Sequence, residues 1–186
     1  MTNIVGIAGS LRRKSLNLGL LKAAAEVAPA GVRLAVKTID GIPLYNADVE
    51  AAEGLPPAVT ALKDAIAAAD GVILSTPEYN NGIPGVFKNA IDWASRPAED
   101  IGRVFGGKPI ALIGASPGGF GTILAQDAWL AVLRTLGMTP WFEGRMMVSR
   151  ASGLFDAEGA LTDETTRTRL KDFVAGFAGF IEGRAK

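Results

Sequence analysis

The chain has no cysteine and no histidine among its 186 residues. These two absences exclude disulfide scaffolds, zinc sites, cysteine nucleophiles and every triad or proton relay that requires imidazole, so we expect no metal ion. An excess of charge of one sign is also missing, because 19 Lys and Arg residues balance 19 Asp and Glu residues. We therefore expect no nucleic-acid partner, which would require a basic face.

We expect neither a targeting segment nor a membrane-spanning segment within this sequence. Met1 to Ala8 has no charged region ahead of an apolar stretch, as a secretory signal would. The longest uncharged run, Pro109 to Gln126, contains two prolines and several glycines, so it would make a poor membrane helix. A hydrophobic content of 48% is enough for an ordinary core. We expect residues 1–186 to form one cytoplasmic domain with no membrane partner.

Short apolar strands alternate with helical segments along the chain. The pattern predicts strands over Asn3–Ala8, Val32–Ile39, Val72–Thr76 and Pro109–Ala115, and a fifth strand between Met138 and Met147. Helical spacing predicts helices over Leu16–Val27, Val59–Ile66 and Ile83–Ser95, one that ends near Leu136, and one over Leu170–Ile181. Such alternation indicates a three-layer α/β/α fold, in which helices cover both faces of a five-stranded parallel sheet. Pro140 and Gly144 suggest that the fifth strand lies at an edge.

Ligands of such sheets bind beyond the carboxyl ends of the strands. The segment after the first strand, Gly9 to Asn17, supplies two hydroxyls, an amide and three cations just before a helix. The free N–H groups and positive dipole at a helix start would hold a phosphate there. Alternatively, Ser15 only caps the helix and the cations form a solvated turn, and composition alone does not separate these two interpretations.

Two further segments follow the third and fourth strands. Pro77 to Pro84 contains two prolines and an Asn-Gly pair, which stiffen a loop whose backbone groups are free to face a ligand. Ser116 to Gly121 contains glycines that allow the backbone to approach a flat group closely. Either segment alone is explained as an ordinary turn, with Trp93 in the core. Three segments converging on one sheet edge favour a ligand with a phosphate, a polar linker and a planar ring.

Two motifs together resemble the NADPH-dependent FMN reductase family, and above all its flavodoxin-like quinone and chromate reductases. They are Gly9-Ser10-Leu11-Arg12-x-x-Ser15-x-Asn17 and Pro77-Glu78-Tyr79-Asn80, the latter followed by Pro84 to Trp93. The resemblance covers essentially the whole chain. It implies a flavodoxin-like sheet with strand order 2-1-3-4-5, FMN as cofactor and NADPH or NADH as co-substrate.

The resemblance also implies which residues bind FMN. The phosphate would be held by Ser10, Arg12, Ser15 and Asn17, with backbone contacts from Leu16 and Leu18. Residues of the second segment would lie along the isoalloxazine ring, namely Pro77, Glu78, Tyr79, Asn80 and Asn81. The ring's other side would be closed by Ser116 through Gly119, including Gly118. Asn81 stands where close relatives often carry an aromatic residue, which would alter how the open face of the ring is covered.

A flavin enzyme requires neither histidine nor cysteine, because the cofactor performs the hydride chemistry. We expect a ping-pong transfer from NADPH or NADH through FMN to a quinone or similar acceptor, such as free flavin, chromate or an azo compound. No side chain is a certain catalytic residue, and Tyr79 is a candidate either for a general acid or for a structural contact. Two alternatives are a flavodoxin-type electron carrier, which would usually show an acidic docking face, and a receiver-like domain, which would need acidic residues after the first strand.

The sequence further predicts a homodimer or homotetramer. The helices that contain Trp93 and Trp129 carry other apolar residues, among them Ile91, Leu130 and Leu133. If these side chains flank the flavin edge as an exposed surface, burial against a second copy would be favourable.

Overall fold

One parallel sheet organises residues 1–184, which are the residues that the computed structural model describes. Its strands are β1 (Thr2–Ala8), β2 (Val32–Thr38), β3 (Gly71–Ser75), β4 (Pro109–Ala115), β5 (Thr139–Pro140) and β6 (Met146–Val148). The strand order is β2-β1-β3-β4-β5, and β6 also pairs with β4. The flavodoxin-like order and the parallel arrangement expected from the sequence are confirmed. All five residues of β3 are buried, as expected for a central strand covered on both faces.

Helices cover both faces of the sheet. They are α1 (Leu16–Glu26), α2 (Ala47–Glu53), α3 (Pro57–Ala67), α4 (Gly85–Ala94), α5 (Ile101–Val104), α6 (Ile123–Thr135) and α7 (Glu164–Arg184). Buried side chains of α1 and α7, such as Leu20 and Phe177, form the core on one face. Side chains of α3 to α6, such as Ile66 and Phe87, form the core on the other face. No helix within residues 1–184 has the length and apolar content needed to cross a bilayer.

The fifth strand differs from the expectation of one continuous strand. The chain pairs with β4 at β5, leaves the sheet over residues 141–145, and pairs with β4 again at β6. Pro140 does not interrupt the pairing, because the donors to β4 are Thr139 N, which bonds Lys108 O at 2.9 Å, and Trp141 N, which bonds Ile110 O at 2.8 Å. Its missing N–H group faces the open edge of the sheet, where proline is tolerated. Gly144 packs so tightly that a Cβ atom there would lie 2.2 Å from the Trp141 ring. The close packing of Gly144 against Trp141 therefore accompanies the departure of this segment from β4, and the described sheet has six strands rather than five.

Two short helices were not expected. The first, α2, has no buried residue, so no apolar periodicity marks it in the sequence. Its Asn46 side chain accepts a hydrogen bond from Asp48 N at 2.9 Å, and this cap is the one local signal for it. The second, α5, is only four residues long.

The prediction of an exposed apolar surface on α4 and α6 is wrong for most of the residues named in it. Trp93 and Trp129 are fully buried at 0% exposure, and Ile91 and Leu133 are buried as well. Only Leu130 of that set is partly buried. These side chains form the chain's own core, so they provide no argument for association. The homodimer or homotetramer stays a prediction.

Candidate functional site

Three loops meet beyond the carboxyl ends of β1, β3 and β4. We call them the first loop (residues 9–15), the second loop (residues 76–84) and the third loop (residues 116–122). Together with the start of α1 they surround a cavity of about 70 Å³. Its lining is Ser10, Arg12, Ser15, Leu16, Asn17, Pro77, Glu78, Tyr79, Ala115, Ser116 and Pro117.

The structure brings most of the candidate residues to this cavity but not all of them. Those that do not line it are Leu18, Asn80, Asn81, Gly118 and Gly119. One lining residue, Ala115, was missed by the sequence analysis, whereas Pro117 lies within the predicted segment from Ser116 through Gly119. Ala115 directly precedes Ser116, so beginning the third segment one residue earlier would have included it.

The first loop carries hydrogen-bond donors and cations into the start of α1. Ser15 is the helix N-cap, and its Oγ accepts from Leu18 N at 3.4 Å, so the capping interpretation holds for this side chain. Ser10 Oγ accepts from Arg12 N at 3.3 Å. Within residues 1–184 the exposed Arg12 guanidinium makes no salt bridge, whereas Lys14 pairs with Glu158 at 3.1 Å. The Arg12 guanidinium is therefore available to pair with an anion bound at this helix start.

Asn17 is the buried junction of the three loops. Its Nδ2 donates to Ala115 O and its Oδ1 accepts from Ala115 N, both at 3.0 Å. Ser75 Oγ donates to Asn17 O at 3.0 Å and lies 3.2 Å from Asn17 Oδ1. One amide side chain thus links the start of α1 to the last residues of β3 and β4. Most of its hydrogen-bonding capacity is used inside the protein.

The second loop contains a tight turn. Tyr79 and Gly82 exchange two backbone hydrogen bonds, of 3.2 and 3.1 Å, across Asn80 and Asn81. Both asparagines have left-handed backbones, with φ of 50° and 61°. This is the pattern of a type I′ turn, and asparagine tolerates it better than other residues with a side chain. An aromatic residue at position 81 would strain this turn, which accounts physically for Asn81.

The third loop is fixed to the end of β6 and to the segment that follows it. Ser116 N donates to Val148 O at 3.0 Å, Arg150 N donates to Gly118 O at 2.9 Å, and Ser116 Oγ donates to Gly121 O. A Cβ atom at Gly119 would meet nothing within 4 Å, so this part of the loop faces open space. The glycine that the fold itself requires is Gly121, which has φ of 65° and packs against Met147.

A larger cavity lies behind α1. It measures about 230 Å³, and it is lined by α1 residues such as Lys22 together with Glu158, Leu161 and Arg167. Neither the second nor the third loop contributes to it. We therefore place the functional site at the smaller cavity, where the loops after β1, β3 and β4 converge.

The parallel sheet of this strand order, with a cationic loop after β1 and two further loops around the same cavity, places the chain in the class of flavodoxin-like flavoproteins. Residues 2–153 match the model of the NADPH-dependent FMN reductase family, and the chain belongs to that family. It is therefore an oxidoreductase with FMN as cofactor and NAD(P)H as electron donor, rather than an electron carrier or a receiver domain.

Individual relatives agree over nearly the whole chain. An NAD(P)H-dependent FMN reductase of Pseudomonas aeruginosa is 46% identical over 90% of this chain and 89% of its own. A 2-hydroxy-1,4-benzoquinone reductase of a Burkholderia species is 39% identical over 97% of both chains. The solved structure of the NAD(P)H:(acceptor) oxidoreductase FerB from Paracoccus denitrificans has 37% identity and a TM-score of 0.85, with 98% of both chains covered.

Proposed function

We propose that the chain binds FMN in the three-loop cavity and uses it to reduce a quinone-like acceptor with NAD(P)H. One observation carries the proposal. The cationic start of α1, the second loop and the third loop converge on one cavity at the carboxyl edge of the sheet. The Burkholderia relative, named for a benzoquinone substrate, supports a quinone as acceptor. The Pseudomonas relative supports free flavin as the second candidate.

Each loop has a distinct part in this proposal. Ser10, Arg12 and the N–H groups at the start of α1, including that of Leu16, hold the phosphate, whereas Leu18 N is already bonded to Ser15 Oγ. Asn17 holds the start of α1 against the ends of β3 and β4 through its hydrogen bonds to Ser75 and Ala115. Residues 77–81 lie along one edge of the ring, and residues 116–119 close the other side. Tyr79, half exposed beside the cavity, serves as a contact surface rather than as an acid.

Bound FMN would supply the hydride chemistry between NAD(P)H and the acceptor. The chain would bind and orient the reactants, and backbone N–H groups of the second loop would stabilise negative charge on the flavin ring. We propose that nicotinamide and acceptor use the same open side of the cavity in turn, which makes the reaction ping-pong.

Steady-state kinetics of the FMN-loaded protein test this proposal. NADPH is varied at several fixed concentrations of a benzoquinone, and in parallel assays at fixed concentrations of free FMN. Parallel double-reciprocal lines with the quinone are the expected result. Intersecting lines would contradict alternate occupancy of one cavity, and oxidation of NADPH only with free FMN would contradict the quinone as acceptor.

A further inference from the structure

Helix α6 begins without a cap of its own. Thr122 is its N-cap residue, but the Thr122 side chain makes no cap hydrogen bond. Its hydroxyl, fully buried, accepts instead from Gln126 Nε2 at 3.1 Å. The free N–H groups of this first turn need another acceptor, because unpaired N–H groups are costly in a partly buried place.

Glu78 of the second loop supplies that acceptor. Its Oε2 accepts from Ala125 N at 2.9 Å. Ala125 is the third residue of α6, where a capping side chain normally accepts, and a carboxylate also favours the positive end of the helix. The cap of α6 therefore comes from 47 positions earlier in the chain.

This hydrogen bond joins two loops that flank the cavity. Glu78 lies in the second loop, and α6 continues directly from the third loop. A second bond connects nearby parts of the same elements, from Trp129 Nε1 to Thr76 Oγ1 at 3.1 Å. That bond lies deeper, one helical turn into α6, so Glu78 is the connection nearest to the cavity that it lines.

We propose that Glu78 is a positioning residue for FMN, which sets the spacing of the second and third loops through its bond to Ala125. This role rests on the proposed function, in which the ring lies between those loops. It differs from the direct ring contact implied by the family resemblance, because the carboxylate acts on the cofactor through the start of α6.

Three variants separate this role from the alternatives. Glu78→Ala removes the acceptor, whereas Glu78→Gln keeps an oxygen for Ala125 N and removes the charge. Asp163→Ala is the matched control, because Asp163 Oδ2 accepts from Thr166 N at 2.7 Å at the start of α7 and does not line the cavity. The readouts are the Tm of the FMN-free chain, the FMN dissociation constant by fluorescence, and the visible spectrum of bound FMN.

We expect Glu78→Ala and Asp163→Ala to lower Tm similarly, by about 2–4 °C. Glu78→Ala raises the FMN dissociation constant about tenfold or more and shifts the spectrum of bound FMN, whereas Asp163→Ala leaves both within about twofold. Glu78→Gln stays within about threefold of the wild type in FMN affinity, because the bond to Ala125 is retained.

Two results would overturn the positioning role. Equal loss of affinity in Glu78→Gln and Glu78→Ala would show that the charge itself acts on FMN. A change in Glu78→Ala no larger than that in Asp163→Ala would show an ordinary cap. If Glu78→Ala does not fold, Glu78→Gln decides alone, since retained affinity supports the role and lost affinity overturns it. A wild-type chain that binds no FMN would refute the proposed function as well.

Discussion

Asn17 connects the start of α1 to the last residues of β3 and β4 through one buried amide, so its removal is expected to destabilise the folded chain. Asn17→Ala removes the hydrogen-bond partners of Ala115 N and Ala115 O, which are both buried. We expect the free energy of unfolding to fall by about 2–4 kcal/mol, as measured by urea denaturation. The control is Asn46→Ala, which removes an exposed helix cap and costs about 1 kcal/mol. Equal losses in the two variants would contradict the role of Asn17 as a junction.

Arg12 is expected to contribute affinity for FMN and almost nothing to folding. Its side chain is exposed and makes no salt bridge within the described residues 1–184. A charge-assisted bond to phosphate is worth about 1.5–3 kcal/mol, so Arg12→Ala raises the FMN dissociation constant about 10- to 150-fold. Flavin fluorescence during titration measures this constant. Arg33→Ala, at an exposed position of β2, is the control, and equal affinities in the two variants would show that the first loop does not bind the phosphate.

The sequence reveals the residues of the site better than it reveals their roles. Ser10, Arg12 and Ser15 stand out because the segment after a first strand has a known place in a parallel sheet. The role of Asn17 depends on Ala115, which is 98 positions away, and such a contact leaves no local pattern. The same holds for Glu78. Its partner Ala125 lies in α6, and the sequence alone predicts that helix but not the residue that caps it.

At the scale of elements, apolar periodicity predicts the helices and strands that have a buried face, and it misses an element that has none. The strand Pro109–Ala115 has the expected bounds, because the polar residues Lys108 and Ser116 flank its apolar run. Helix α2 was missed since none of its residues is buried. The split of the fifth strand depends on packing between Gly144 and Trp141, which is a tertiary contact.

Helices α3 and α5 are joined near a buried cation. Lys63 is 2% exposed, its Nζ lies 2.9 Å from Asp100 Oδ2, and hydrogen bonds from Arg103 and Lys63 hold the pKa of Asp100 far below its ordinary value. Because the folded pKa is depressed, the stability from this carboxylate is present above the unfolded pKa of about 3.9 and is lost as pH falls through the folded value.

Asp100→Asn should therefore be less stable than the wild type near neutral pH, and the difference should shrink as pH falls below about 4. Urea denaturation from about pH 7 to about pH 3 measures this dependence. Asp172→Asn, at an exposed position of α7 with no salt bridge within residues 1–184, is the control. A deficit in Asp100→Asn that is constant over this range would contradict the ion pair.

At the scale of the whole molecule, the expected homodimer or homotetramer needs a different surface from the one first considered. The side chains of Ile123 and Phe142 are 43% and 67% exposed and line one cavity beside α6. We expect light scattering at micromolar concentration to give the wild type a mass above the 19.3 kDa of one chain. We expect Phe142→Lys to have a lower mass than the wild type in the same measurement. Leu44→Lys, at another exposed apolar position, is the control. A wild-type monomer would contradict the prediction.

The central claim is that FMN binds where the first, second and third loops meet. The most direct test is a titration of FMN into the nitrogen-15-labelled FMN-free chain, with backbone amide signals followed by NMR. We predict the largest shifts at Ser10, Arg12, Tyr79 and Ser116, and small shifts across β2 and α3. Shifts centred instead on Lys22, Leu161 and Arg167, around the larger cavity behind α1, would contradict the account.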